Sequence, residues 1–300
     1  MDIKENIPEL WADQVPVAKA QDNKYTRGQV AVLGGDEMTG AACLAADAAA
    51  RVGAGLVTII AQKRSILQSL NPNAPDPLPV YKNFRPYIIA RRNSDMSTYV
   101  DKAKKKGRVA SVIGPGLGNN AYKRVRSEIF DVLNIEDAPL VIDADGLNAF
   151  AGEAESENLC KGVHNQTVLT PHEGEFKKLF PQLAETLKND RQSAAMEAAR
   201  LLFGGVLVLK GHETIIAQYV HSKERMLINK VANPYLASAG TGDVLSGLIA
   251  GLMAQGMSAF QAAAAGVWMH GKASQNIGVG LVAEDLIKNI PRVLKEMLGI

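Results

Sequence analysis

Cysteine is nearly absent from this chain: Cys43 and Cys160 are the only two, far apart and in apolar surroundings. That excludes a disulfide scaffold and a cysteine-based zinc site, and both read as reduced core thiols of a cytosolic protein. Excess charge is missing too. The chain has 33 Lys and Arg against 31 Asp and Glu, a formal net charge of +2, which gives no basis for a nucleic-acid or membrane partner. The short basic run at residues 102–106, with Arg108, reads as the solvated end of a helix. The first 14 residues lack the apolar centre of a signal peptide. Residues 245–269 approach the length of a membrane span, but Gln255, Gly256 and Gln261 interrupt them and Ser258 suits an N-cap. They read as two packed helices of a soluble protein. Linkers, repeats and low-complexity segments are also lacking. With 47% hydrophobic and 21% charged residues, the composition is that of an ordinary globular protein. Residues 1–300 therefore read as one domain behind a polar leader at 1–22.

What is present is an alternation of strands, glycine turns and helices. Gln29-Val30-Ala31-Val32-Leu33 reads as a strand running into Gly34-Gly35. An alanine-rich helix follows at about 39–52, then a second strand at 56–60, which makes a βαβ unit. The dinucleotide fingerprint is missing from its first turn: Gly34-Gly35-Asp36-Glu37-Met38-Thr39-Gly40 lacks the G-x-G-x-x-G spacing, and two acids there would repel a pyrophosphate. The small residues Gly40, Ala41 and Ala42 suit close helix–sheet packing, or the approach of a flat ligand. Residues 71–79 hold four prolines and read as a loop. A strand is expected near 87–90. Val109 to Ile113 then leads into Gly114-Pro115-Gly116-Leu117-Gly118 and a helix at about 121–133.

Leu140-Val141-Ile142 ends in Asp143-Ala144-Asp145. Carboxylates at the carboxyl end of a parallel strand occupy the usual functional edge of such sheets, although Asp145 would equally suit a helix cap. Thr167-Val168-Leu169 precedes Thr170-Pro171-His172-Glu173-Gly174-Glu175. Thr170 as N-cap, Pro171 at the first helical position and Glu173 would form a capping box. That leaves His172 without a structural task and open to a ligand contact. After Val206-Leu207-Val208-Leu209 come Lys210-Gly211-His212-Glu213-Thr214 and two closely spaced strands, which predict an antiparallel edge on a mainly parallel sheet. A final amphipathic helix is expected at 283–298.

Asn233-Pro234-Tyr235-Leu236-Ala237-Ser238-Ala239-Gly240-Thr241-Gly242-Asp243 is the most informative stretch. Val244, Leu245, Leu248, Ile249 and Leu252 follow at helical spacing, so a helix begins at 241–243. Its first turn exposes unpaired N–H groups at the positive end of the helix dipole, a ready phosphate site. Asp243 there is either a plain helix-start acid or a base that takes a proton from a substrate hydroxyl during phosphoryl transfer.

Thr241-Gly242-Asp243 after an alanine- and glycine-rich run resembles the signature of the ribokinase-like superfamily. Adding Gly34-Gly35 with Met38-Thr39-Gly40-Ala41-Ala42, the Gly114–Gly118 turn, Asp143-Ala144-Asp145, Thr170 to Glu175, Leu209-Lys210-Gly211 and Asn233-Pro234 narrows it. Together these look like the NAD(P)H-hydrate dehydratase family in its stand-alone form. The resemblance implies a three-layer α/β/α fold with antiparallel edge strands. It implies an enzyme that restores hydrated NADH or NADPH: a nucleotide phosphorylates the ring hydroxyl, and phosphate then leaves. On this basis Asp243 is the base, with the backbone of Gly240 and Gly242 holding developing charge. Lys210, Gly211, His212, Glu213, Thr214 and Gly242 hold the nucleotide, and Ala41, Gly116, His172 and Asp243 face the hydrated dinucleotide. The resemblance further implies ADP in preference to ATP, Mg2+, a cytoplasmic homotetramer, and pairing with an epimerase of the same substrate. The chain departs from the family at Asn23-Lys24-Tyr25 (for His-Lys-Gly), Glu173 (for proline), Gly146 (for alanine) and His212-Glu213 (for small residues). The rivals are a small-molecule kinase of the same superfamily and a nucleotide-binding module without turnover; the latter has no need of Asp243.

Overall fold

A computed structural model describes residues 2–61, 76–92, 95–119 and 122–299. The strands are β1 (Asp2–Glu5), β2 (Gln29–Gly34), β3 (Leu56–Ala61), β4 (Ile88–Arg92), β5 (Val109–Ile113), β6 (Leu140–Ile142), β7 (Thr167–Leu169), β8 (Val206–Leu209), β9 (Thr214–Val220) and β10 (Lys223–Asn229). They form one sheet in the order β1-β10-β9-β8-β7-β6-β5-β2-β3-β4. Pairing is parallel from β4 through β8, and antiparallel at β8–β9 and β9–β10. The expected antiparallel edge is therefore present.

The central strands are buried on both faces because they are largely apolar, whereas the edges are more polar. Alternate residues feed two cores: Val30, Val32, Val57 and Ile59 pack with the helices Thr39–Arg51, Thr241–Ala254, Ala259–Ile277 and Ala283–Leu298. Ala31, Leu33, Ile60 and Ile113 pack with Met96–Lys104, Tyr122–Leu133 and Arg191–Leu201 on the other side. Helices thus cover both faces of a mainly parallel sheet. The expected division of 245–269 into two helices is observed, with Ser258 Oγ accepting from Gln261 N at the second helix start. No helix among the described residues is long and apolar enough to cross a membrane. Cys43 and Cys160 are buried and unpaired, and burial pushes both thiols up to about 11.

The alanine-rich composition of Thr39–Arg51 has a packing reason. A β-carbon at Gly247 would lie 2.1 Å from Ala45 O, and one at Gly251 would lie 2.4 Å from Val52 Cγ1. The helix shares a close seam with Thr241–Ala254, where only small residues fit. Contacts advance together along both chains, so the two helices run in the same direction and their N-termini sit side by side.

Two local expectations are corrected. Residues 2–5, inside the supposed polar leader, form edge strand β1 in parallel register with β10, and Trp11 behind it is buried beside Asn6. Of the proline-rich stretch, 71–75 lie outside the described residues, while Pro79 falls in a short helix, Leu78–Lys82, whose first turn tolerates proline.

Candidate active site

The carboxyl ends of β2, β5, β6, β7 and β8 and the start of the Thr241–Ala254 helix converge on one region. Gly240 caps that helix with a left-handed backbone (φ +85°), and no side chain caps it. Thr241 N reaches Ser238 O at 3.5 Å, and the N–H groups of Gly242 and Asp243 have no backbone acceptor among the described residues. The sharp entry suits glycine for a second reason: a β-carbon there would stand 2.5 Å from Leu44 Cδ1. Asp243, in the first turn, makes no side-chain hydrogen bond or ion pair among the described residues. It is not a cap. Burial, and next the Asp143 carboxylate, push its carboxyl up to about 7; Lys210 opposes this, and Asp145 and Glu175 add to it. A carboxyl poised near neutrality is suited to accept a proton.

Beside it lies a network that ties distant segments together. Lys210 Nζ donates to Asp143 Oδ1 at 2.8 Å and lies 3.8 Å from Glu175 Oε2. Ser246 Oγ donates to Asp143 Oδ2 at 2.7 Å. Burial pulls the Lys210 ammonium down, but Asp143, Glu175 and Asp243 outweigh that and hold it above the ordinary lysine value. The cation is close to the helix start: a β-carbon at Gly242 would be 3.5 Å from Lys210 Nζ. Exposed N–H groups and a permanent cation at one point make an anion site.

Ala144, between Asp143 and Asp145, has φ +47° and ψ −119°, a strained backbone for a residue with a side chain. The turn sends Asp143 inward to Lys210, while Asp145 Oδ2 accepts from Gly118 N at 2.9 Å. Asp145 therefore fixes the Gly114–Gly118 turn rather than capping its own helix. In that turn Gly116 is left-handed, and a β-carbon on it would lie 2.3 Å from Met38 O and 3.0 Å from Ala41 Cβ. Ala41 and Gly116, predicted to face the same ligand, are in contact.

His172 is a correction. The helix begins at Glu173, not Pro171, and His172 is its N-cap: Nδ1 accepts from Gly174 N at 2.9 Å and Glu175 N at 3.2 Å, while Glu175 Oε2 accepts from His172 N at 2.8 Å. Thr170 is buried, with its hydroxyl 3.4 Å from Ile142 O. The reason is that residues 170–172 continue β7 as extended chain. Pro171 O accepts from Lys210 N at 2.8 Å, and His172 bridges Lys210 in parallel.

A cavity of about 650 Å³ opens beside the helix start, lined by His172, Lys210, Gly211, His212, Thr214 and Gly242 among others. Glu213, expected with them, is not in its wall. Its carbonyl instead accepts from Arg191 Nη1 at 2.8 Å, and Arg191 Nη2 donates to Lys210 O at 3.2 Å. Glu173, one of the departures from the family pattern, lies 2.9 Å from Arg191 Nε. The two unusual acidic positions, 173 and 213, are thus joined through one arginine that braces the loop. Ala41 and Gly116 do not line this cavity, whereas His172 does.

His270 was not anticipated. It is buried in the wall of the same cavity, its Nε2 2.9 Å from Thr241 O, and burial lowers it to about 4. It is neutral at ordinary pH and donates from Nε2 to the first turn of the Asp243 helix. Only its place between Met269 and Gly271 on an apolar helix could have hinted at this, and that pattern more often marks a core residue.

Comparisons with known proteins place the chain in a family. Residues 30–292 match the NAD(P)H-hydrate dehydratase family. An ADP-dependent (S)-NAD(P)H-hydrate dehydratase of Neisseria meningitidis is 36% identical over 90% of this chain and 86% of its own. A bifunctional NAD(P)H-hydrate repair enzyme of Salinibacter ruber is 36% identical over 92% of this chain, which spans only 50% of that longer protein. The crystal structure of an ADP/ATP-dependent NAD(P)H-hydrate dehydratase of Bacillus subtilis, co-crystallised with ATP and Mg2+, superposes with a TM-score of 0.74 at 27% identity and 99% coverage of both chains. The fold is ribokinase-like. With its motifs in order and its length matched almost throughout, the chain belongs to the NAD(P)H-hydrate dehydratase family.

Proposed function

We propose that this protein dehydrates hydrated NADH and NADPH, the S form, converting ADP to AMP and phosphate as it does so. One observation carries the reading: a carboxyl poised near neutrality, with no hydrogen bond to its side chain among the described residues, stands on the first turn of a helix whose N–H groups and adjacent lysine form an anion site beside a nucleotide-sized cavity. Asp243 takes the proton of the ring hydroxyl as its oxygen attacks the terminal phosphorus of the nucleotide, whose bond to the bridging oxygen breaks. The N–H groups after Gly240 and the Lys210 ammonium hold the charge that develops on the phosphoryl oxygens. Phosphate is a far better leaving group than hydroxide, so its departure with a ring proton restores the double bond.

Lys210, Gly211, His212, Thr214 and Gly242 hold the nucleotide in this reading, and Glu213 acts through the loop that Arg191 braces. Ala41 and Gly116 contact the hydrated ring, and His172 reaches the reacting groups from the wall of the nucleotide cavity. No group of three or more metal-binding side chains occurs among the described residues, and Lys210 already engages the Asp143 and Glu175 carboxylates. The donor set thus suits magnesium that arrives on nucleotide phosphates rather than one held by the protein alone. Magnesium supplies neutralisation of phosphate charge when bound. ADP is the preferred donor by similarity to the Neisseria enzyme, and ATP serves less well. Pairing with an epimerase that supplies the S form, a cytoplasmic location and a homotetrameric assembly complete the proposal; the bifunctional relatives favour the pairing.

The test is incubation of purified protein with hydrated NADH and either ADP or ATP, following the return of reduced-ring absorbance. Recovery with ADP, abolished by EDTA and restored by Mg2+, is expected. Recovery with neither nucleotide, or turnover of a vitamin-precursor alcohol instead, would reject the assignment.

A further inference from the structure

His270 uses only one of its two ring nitrogens inside the protein. Nε2 donates to Thr241 O at 2.9 Å, and Nδ1 makes no hydrogen bond to a described residue. Burial keeps the ring neutral, so with the proton on Nε2 the other nitrogen is an acceptor and nothing else. The residue is 8% exposed, yet Nδ1 is not sealed off. Among the described residues, the fully enclosed side-chain nitrogen and oxygen atoms without a partner are Ser111 Oγ and Arg191 Nε. The open space beside His270 is the nucleotide cavity, whose wall it helps to form. The wall around it is rigid. Gly271 packs so closely on Val231 that a β-carbon would lie 1.8 Å from Val231 O, and Asn229 Nδ2 donates to the same oxygen at 2.7 Å.

We propose that His270 Nδ1 accepts a hydrogen bond from a ribose hydroxyl of the consumed nucleotide, so that the site selects ribonucleotides over deoxyribonucleotides. The inference rests on the function proposed above and adds a specificity-determining residue to it. A buried acceptor left open to a binding cavity favours a ligand that brings a donor, because an unmet polar group costs affinity. A nucleotide has few donors to offer. Its phosphate oxygens only accept, and they go to the N–H groups of the helix start and to Lys210. What remains is the sugar hydroxyls and, at the far end of the base, the exocyclic amine. Position decides between them. His270 is one hydrogen bond away from the turn that holds phosphate. The apolar wall next to it comes from Val267, one turn earlier on its own helix, and Leu245, one turn beyond Thr241. Apolar walls suit the base, so Nδ1 stands between the phosphate end and the base end, where the sugar lies.

Glutamine and asparagine separate the two nitrogens. In His270→Gln the amide nitrogen reaches the place of Nε2 and still donates to Thr241 O, but nothing replaces Nδ1. In His270→Asn the shorter amide reaches only the place of Nδ1, so an acceptor remains and the bond to Thr241 O is lost. The readout is calorimetric affinity for ADP, 2′-deoxy-ADP and 3′-deoxy-ADP, with Tm alongside. Wild type should bind ADP about 5- to 10-fold more tightly than one of the two deoxy analogues, the usual weight of one hydrogen bond. His270→Gln should bind all three within about 2-fold of one another at a Tm near wild type. His270→Asn should melt lower and keep the preference. A wild type that binds all three alike, or a His270→Gln protein that keeps the full preference, would overturn the proposal. Inosine diphosphate, which lacks the exocyclic amine, tests the base instead. A preference for ADP over it that vanishes in His270→Gln would move the contact to the base and overturn the sugar assignment. None of these measurements needs the hydrated substrate. Ribose selectivity that His270→Gln abolishes therefore supports the contact even in a protein without dehydratase turnover, which would sink only the proposed function.

Discussion

His172 caps a helix and is proposed to contact substrate, and one pair of substitutions separates the two. Its Nδ1 accepts from two backbone N–H groups, Gly174 at 2.9 Å and Glu175 at 3.2 Å, and its ring also lines the nucleotide cavity. Alanine removes both roles. The side chain is 59% exposed, so water replaces part of what the two N–H groups lose, and the cost should be the usual loss of an N-cap, about 1 kcal/mol. In a chain of this size that lowers Tm by about 2 °C. Asparagine is a strong N-cap but is shorter and lacks the ring. His172→Asn should therefore melt within about 0.5 °C of wild type while sharing the raised KM of His172→Ala for hydrated NADH. Scanning calorimetry and steady-state kinetics on the three proteins provide the data. If asparagine left the stability loss intact, the cap assignment would be wrong. If it restored both Tm and KM, the ring would have no ligand contact.

Other expectations follow from the same geometry. Because Asp243 must be ionised to act and its carboxyl is raised to about 7, kcat/KM should climb with pH up to that value and level off above it. An acid limb near the ordinary carboxylate range would place the base elsewhere. His270 is lowered from 6.5 to about 4 in the folded chain, so the unfolded chain binds the proton more readily. Its contribution is complete above pH 6.5 and is lost as pH falls toward 4, by roughly 3 kcal/mol in all. Denaturant titrations at pH 7 and pH 4.5 should show this fall reduced in His270→Gln, and an equal fall in both proteins would refute it. Removing Lys210 should leave Asp143 charged and buried, costing about 3 kcal/mol. In Lys210→Met/Asp143→Leu much of that stability should return while turnover does not; a Lys210→Met protein as stable as wild type would show the pair to be incidental.

The strand and helix sequence was legible because apolar runs, glycine turns and capping residues repeat at the spacing of a βα unit. The antiparallel edge could be read from two strands too close together for an intervening helix. Sequence also located the glycine turn and the helix start behind it, where local chemistry suffices, whereas the role of Asp243 came from the family resemblance. It failed where two local solutions compete. Thr170-x-x-Glu173 and His172-x-x-Glu175 overlap by two residues, and cap preference alone chooses threonine. The outcome was set by Lys210 N pairing with Pro171 O, across 39 residues, which keeps 170–172 extended. Ser246 carries no local signal in a helix interior, because its bond to Asp143 spans 103 residues. His270, reaching back 29 residues to Thr241 O, was hidden for the same reason. β1 was misread because a parallel edge strand of four residues, Asp-Ile-Lys-Glu, carries little apolar pattern of its own.

Asp243 is proposed as the base in a phosphoryl transfer that removes water from the reduced nicotinamide ring. The most direct measurement compares wild type and Asp243→Asn for ADP-dependent recovery of NADH from its hydrate, alongside calorimetric ADP binding. Asparagine keeps the size of the side chain and removes only its charge and basicity. Turnover should fall by roughly 100- to 10,000-fold, with ADP affinity and Tm close to wild type. Turnover near that of wild type in the Asn protein, with ADP still consumed, would contradict the account.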